Sequence, residues 1–441
     1  VTPDAFETRR VYRIDPPDGE PVVAQRIDQL RSFINPVPDL ATIASQWRYV
    51  NSFSRGTIFQ NVSRLPPTNN RPAASSDPTT SMLQALRSLQ EHDVVLLLSG
   101  GLDSRTLMAL LHGAGVPFRT VTYGLPTMPD WQIADRVSNV DGVAWQGIDV
   151  RTLAKDDLWT AMVETAMISE GTYSVAHAAV LPKLARLYPA SVVVDGAYGA
   201  LLRGGFANQL LVRGRADLAS KDAGRVEKWF VVRDLSVFHP DIRDEMMAGS
   251  RALLQEALDD MPDFSASDGR DWIDEFFLRW NVPGFVSNPH RIYDRWMPSE
   301  MPFLTPQVVA DVLGLPSKSR SHARLFRSWI EQFRPGLRTV PFVGKKGLVP
   351  WICAGDPWRT ALYARFGPKH AAPDSGQMEL GVISLMGDHL VERAHEALSE
   401  SMVPFHVPLV QELTNSAVSG SNPIAAQEFF SWLTLALALR S

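Results

Sequence analysis

Val94-Val95-Leu96-Leu97-Leu98-Ser99-Gly100-Gly101-Leu102-Asp103-Ser104-Arg105 is the stretch from which the rest of the chain is read. Five apolar residues in a row suit a parallel strand covered on both faces, because a strand with one wet face would alternate. Gly100 and Gly101 then allow a sharp turn and a close approach of an anion to the backbone amides. Leu107, Leu110 and Leu111 follow at helical spacing, so the turn opens a helix whose positive dipole end faces the same anion. The stretch therefore predicts a phosphate-binding corner. It is not the common phosphate loop, since no Gly-Lys-Ser/Thr ending follows, and it lacks dinucleotide-fingerprint spacing.

Working outward, His112-Gly113-Ala114-Gly115-Val116-Pro117 is a helix stop, and Phe118 to Tyr123 reads as a second strand. Strand, glycine loop, helix and strand within roughly thirty residues make a βαβ unit with a right-handed crossover. Asp130 is placed to cap the helix that follows, or to meet a ligand. A third strand is expected over Val143 to Val150, interrupted by Gly147, and then a helix over Leu153 to Met167. Ser191-Val192-Val193-Val194 runs into Asp195-Gly196-Ala197-Tyr198-Gly199, a second strand-to-glycine turn. Asp195 belongs to the site or only caps that turn. Arg203, Arg213 and Arg215 nearby suit a phosphate or carboxylate, or solvent. Trp229, with Phe230, Val231 and Val232, and the stripe Trp272, Phe276, Phe277 and Trp280 read as core packing.

Before the central unit, residues 1–75 are short-ranged and proline-punctuated, an appendage, and Pro66 to Pro78 has linker composition. The main domain spans 80–350. Residues 351–441 form a helical C-terminal portion, with helices around Leu390 to Leu398 and Phe429 to Leu439 and a loop over Asn415 to Asn422.

Composition narrows the functions. The chain has 441 residues, enough for a large core, with 45% hydrophobic and 21% charged residues and no apolar run long enough to span a bilayer. A formal net charge of -5 lacks the basic footprint of a nucleic-acid binder. The single cysteine, Cys353, excludes an internal disulfide and a multi-cysteine zinc site, and suits a cytoplasmic protein. No signal pattern opens the sequence. A homo-oligomer is left open.

Ser99-Gly100-Gly101-Leu102-Asp103-Ser104 resembles the pyrophosphate loop of the N-type ATP pyrophosphatases. Gly56 to Pro67 resembles the segment closing the glutaminase domain of asparagine synthetases, although too little precedes it for that domain and its N-terminal cysteine. Asp195 to Gly205, Met301-Pro302-Phe303-Leu304-Thr305 and Val343 to Pro350 complete a resemblance to the synthetase domain of the asparagine synthetase and β-lactam synthetase family, over about Gly56 to Pro350. The resemblance implies an α/β fold of the adenine nucleotide alpha hydrolase type: a twisted parallel sheet with helices on both faces, a helical C-terminal portion and a short N-terminal appendage. It implies ATP and Mg²⁺ as cofactors. Leu98, Ser99, Gly100, Gly101, Asp103, Ser104, Tyr123, Asp195 and Gly196 are the implied nucleotide contacts, Asp103 the metal ligand, and Lys345, with Lys346 as fallback, the catalytic residue.

The implied reaction adenylates a small-molecule or peptide carboxylate, releasing pyrophosphate. An amine donor, free or within the same substrate, then gives an amide or lactam. Two departures bear on this. Ala200 and Leu201 stand where the family has an acidic pair, its aspartate a second Mg²⁺ ligand, and Ala323 stands where it has a lysine. A degenerate, non-catalytic nucleotide-binding protein and a pyrophosphatase acting on a nucleobase are the alternatives.

Overall fold

The computed structural model describes residues 3–16, 19–33, 36–68, 71–203, 208–264, 269–344, 347–366, 376–420 and 422–440. At its centre is a five-stranded sheet in the order β6-β5-β4-β7-β8. The strands are β4 (Asp93–Leu97), β5 (Phe118–Gly124), β6 (Trp145–Asp149), β7 (Ser191–Val194) and β8 (Ser299–Glu300). Every pairing is parallel. Val94, Val95 and Leu96 are fully buried, as the unbroken apolar run demands, and they place β4 in the middle.

The helices lie on both faces of this sheet. Leu102–Ala114, the helix opened by the glycine turn, packs with Pro78–Arg87 and Arg324–Phe333. Lys155–Ile168 packs with Leu181–Leu187, Asn288–Trp296 and the C-terminal helix Pro423–Ala438. Pro78–Arg87 is set by the Asp77 cap on the Thr80 amide, one of the orphan donors at any helix start.

Preceding the sheet, β1 (Tyr12–Ile14), β2 (Val22–Ala24) and β3 (Val62–Arg64) form an antiparallel sheet with β1 in the middle. Phe6, Tyr12, Ile14 and Val62 join the same core as Val94 to Leu98, so this segment is packed onto the sheet. Near its end Asp311 takes hydrogen bonds from the Ser75 amide at 2.7 Å, the Ser76 amide at 3.1 Å and the Ser76 hydroxyl at 2.7 Å. Burial pushes the Asp311 carboxyl up, but these bonds, with Gln307 at 2.9 Å, prevail and hold it at about 2. A depressed carboxyl stabilises the fold above its unfolded range, and the contribution is lost as pH falls from about 4 toward about 2. Asp311→Asn is expected to lower the melting temperature at pH 7, and thermal melts across pH should show the gap to the parent narrowing through that window.

Several sequence expectations shift by a few residues. The third strand is Trp145–Asp149, and Gly147 is part of it: a Cβ there would lie 2.2 Å from the Trp131 ring, which stands edge-on to Trp145 at 5.5 Å. Trp272 and Phe276 stack at 5.5 Å in a second, smaller core with Phe53 and Leu254. Val231 and Val232 are exposed rather than core, at 39% and 64%. The Asn415 to Asn422 loop is shorter than expected, because helix Val407–Val418 runs through Asn415.

Candidate active site

The corner after β4 is tied down by its own side chains. The Leu98 amide donates to the Val121 carbonyl at 2.9 Å and Thr122 Oγ1 to the Leu98 carbonyl at 2.7 Å, extending the sheet into the turn. Ser104 Oγ accepts from the Ser99 amide at 3.1 Å and lies 3.0 Å from Ser99 Oγ. The Gly101 amide donates to Ser99 Oγ at 3.2 Å. These bonds fold Ser99 and Ser104 together at the mouth of helix Leu102–Ala114. Gly101 caps that helix without a side-chain acceptor, so its first-turn amides meet the corner uncapped, the arrangement that binds anions.

Asp130 is not the helix cap, one of the two roles expected of it. Met128 is the cap and Pro129 opens the helix, leaving Asp130 Oδ1 to accept the Gly100 amide at 2.6 Å. That amide is therefore taken, and an anion at the corner would meet the helix amides beyond it. Gly100 itself is required by crowding: a Cβ would meet Val343 Cγ2 at 2.4 Å and Ile133 Cβ at 3.1 Å. Its carbonyl accepts the Val343 amide at 2.9 Å, joining the corner to the hairpin of β9 (Phe342–Gly344) and β10 (Gly347–Val349). Arg105, fully buried in the motif helix, donates to the carbonyls of Leu337 at 3.3 Å, Val340 at 2.6 Å and Pro341 at 2.8 Å, fixing the approach to that hairpin. Lys345, Lys346, Gly204 and Gly205 lie outside the described residues.

The loop after β7 closes onto the same helix. A Cβ at Gly196 would lie 2.9 Å from Ser104 N, and one at Gly199 would lie 2.7 Å from Asp103 Cγ. Asp195 Oδ1 accepts the Ala197 amide at 2.8 Å and Oδ2 the Tyr293 hydroxyl at 2.9 Å. Burial nevertheless leaves its carboxyl raised above the usual range. Tyr293 also interacts with the hydroxyls of Tyr123 and Tyr173, and burial beside Asp195 pushes Tyr123 up to about 12. Tyr198 is buried with φ at 70°, a left-handed conformation unusual outside glycine. Leu201 is fully buried among core residues, where a carboxylate would be left without a partner.

Asp103, the expected metal ligand, is ion-paired to Arg203, Nε to Oδ1 at 2.8 Å and Nη2 to Oδ2 at 3.4 Å. The two side chains are 25% and 33% exposed. Burial raises the Asp103 carboxyl, opposed by the guanidinium. Both oxygens of Asp103 and both of Asp195 are thus engaged, and no group of three His, Cys, Asp or Glu suited to a metal occurs among the described residues. The residues as arranged do not fit a Mg²⁺ ion held by the protein; a guanidinium stands at the acidic ligand instead.

The structure thus brings Leu98, Ser99, Gly100, Gly101, Asp103, Ser104 and Gly196 to one corner, with Asp195 and Tyr123 joined through Tyr293. Sequence reading missed the Asp130 bond to Gly100 and the Tyr293 bond to Asp195, since partners thirty and ninety-eight positions apart leave no spacing signal.

A parallel sheet whose central strand ends in a glycine turn against an uncapped helix start is an α/β fold of the nucleotide-binding type. The model of the asparagine synthase family matches residues 84–325, more than half the chain, and the protein belongs to that family. The family is one of ATP-dependent, amide-forming ligases. A search of curated proteins finds no match to the chain. Among the described residues no helix is long and apolar enough to cross a membrane.

Proposed function

We propose that this protein is an ATP-dependent amide or lactam ligase that adenylates a carboxylate. The observation that carries the reading is the corner itself, where the serine pair, the uncapped helix start, the Gly196 loop and the strand anchored through Val343 converge. ATP phosphates would lie against the first-turn amides, with the Ser99 and Ser104 hydroxyls alongside, and Arg203 supplies positive charge beside them. A substrate carboxylate oxygen attacks the α-phosphorus, the bond to the β-phosphate oxygen breaks, and pyrophosphate leaves. The amine then forms the C–N bond as the acyl–oxygen bond to AMP breaks, and the ammonium gives up two protons overall. Lys345 is assigned to stabilise the charge that builds on the phosphates during the first step; its support is that the strand before it is hydrogen-bonded to Gly100. The carboxylate comes from a small molecule or peptide.

The test is release of pyrophosphate and AMP from ATP with a panel of carboxylic acids and amines. The parent should release both, and Asp103→Ala, which frees the Arg203 guanidinium from its place at the corner, should lose about a hundredfold of the rate. Tight ATP binding with no pyrophosphate from any pair would instead establish a non-catalytic nucleotide-binding protein. The Asp103–Arg203 pair and the buried Leu201 are the observations that favour that second reading.

A further inference from the structure

The corner carries a cation of its own, and the backbone holds it there. Arg203 closes the short helix Gly199–Leu202: its amide donates to the Gly199 carbonyl at 3.1 Å, and its carbonyl accepts the Ala323 amide at 3.4 Å. Both bonds keep the residue where its side chain reaches Asp103. Nε and Nη2 take the two oxygens of that carboxylate, and among the described residues Nη1 has no acceptor. Asp103 is held in turn. A Cβ at Gly199 would sit 2.7 Å from Asp103 Cγ and 2.9 Å from its Cβ, so the carboxylate is packed on the loop backbone as well as paired.

A divalent cation asks for what this corner does not offer. Mg²⁺ takes an octahedron of oxygen ligands and is anchored to a protein through one or two carboxylates. The carboxylates described at or beside the corner are all engaged: Asp103 by Arg203, Asp130 by the Gly100 amide, and Asp195 by the Ala197 amide and the Tyr293 hydroxyl. Leu201, on the same loop, is fully buried and has no side-chain oxygen to give. A cation on Asp103 would also stand close to the guanidinium, where like charges repel. The guanidinium, by contrast, matches phosphate oxygens with planar donors and can use Nη1 while its other edge stays on Asp103. Asp103 with Arg203 sums to zero charge, the same total as Mg²⁺ on two carboxylates.

We propose that this corner holds the ATP phosphates without a divalent cation bound to the protein, the Arg203 guanidinium standing in that cation's place. The inference rests on the ATP site of the ligase reading and adds that affinity for ATP does not depend on Mg²⁺.

Calorimetric titration of the full chain with ATP, once in EDTA and once in excess Mg²⁺, is the experiment. The two affinities of the parent should agree within about threefold, because the phosphates meet the same guanidinium in both. Arg203→Ala should lose at least about tenfold of the affinity in EDTA and regain part of it in Mg²⁺, as Asp103 is released to take the ion; Arg203→Lys, which keeps the charge, should fall between. Melting temperatures verify that the variants fold, and the comparison within the parent needs no variant. Mn²⁺ added to the ATP-free parent and followed by electron paramagnetic resonance should stay unbound at sub-millimolar concentration. ATP binding by the parent only in Mg²⁺, or Mn²⁺ uptake that Asp103→Asn abolishes, overturns the proposal and leaves the ligase reading standing. ATP binding in EDTA with no pyrophosphate release in either buffer keeps the proposal and removes the ligase, and no ATP binding in either buffer removes both.

Discussion

Arg203→Met is expected to cut ATP-driven pyrophosphate release by about a hundredfold. The guanidinium is the described cation that holds Asp103, and removing it leaves a carboxylate facing the place assigned to the phosphates. Breaking a buried pair from one side costs about 3–5 kcal/mol. With both groups a quarter to a third exposed, solvent screening reduces that stability cost to about 2–3 kcal/mol; the rate loss of about a hundredfold comes instead from the positive charge removed from beside the phosphates. Arg203→Lys keeps the charge but loses the forked geometry, and should fall between. In the double variant Asp103→Asn with Arg203→Met, the uncompensated charge is gone, so the melting temperature should recover while the rate does not. A parent-like rate in Arg203→Met would remove the arginine from the mechanism.

Gly196→Ala is the second large effect, and it acts through the backbone. The added methyl would sit 2.9 Å from Ser104 N and 3.1 Å from both Asp103 C and Ser104 Cα. None of those atoms belongs to a side chain that can swing away, so the loop must lift off the helix start. Overpacking of this kind costs about 1–3 kcal/mol, and displacing reacting groups by about 1 Å costs about a hundredfold in rate. Thermal melts should therefore show a drop of a few degrees, alongside a rate loss of ten- to a hundredfold. Gly142→Ala is the control. Nothing lies within 4 Å of its Cβ position although φ is +76°, so it should cost about 1 kcal/mol of stability and none of the activity.

How far the sequence could be read follows from the range of the interactions. β4, the glycine turn and the helix behind it were legible because their signals are local: an apolar run, two glycines and leucines at helical spacing. The same holds for β5 and for the turn after β7. The role of Asp130 was not, because a cap and a long-range acceptor look alike until helix Pro129–Asp141 is set beside the turn. Arg203 was visible as a cation, but its partner a hundred positions earlier was not. Nor was Tyr293, which reaches the site only because helix Asn288–Trp296 packs near the loop after β7. Val231 and Val232 misled for the converse reason, since composition alone does not say which side of a short segment faces water.

The reach of Arg105 bears on how this protein can be re-engineered. Its guanidinium grips residues 337–341 from within the helix whose first turn fronts the glycine corner, so the hairpin is not a cassette. A chimera that imports residues 335–350 from another member of the family would also have to import a basic side chain about one helical turn after the cap residue Gly101. Grafts lacking that companion should express as proteins whose two halves no longer keep register.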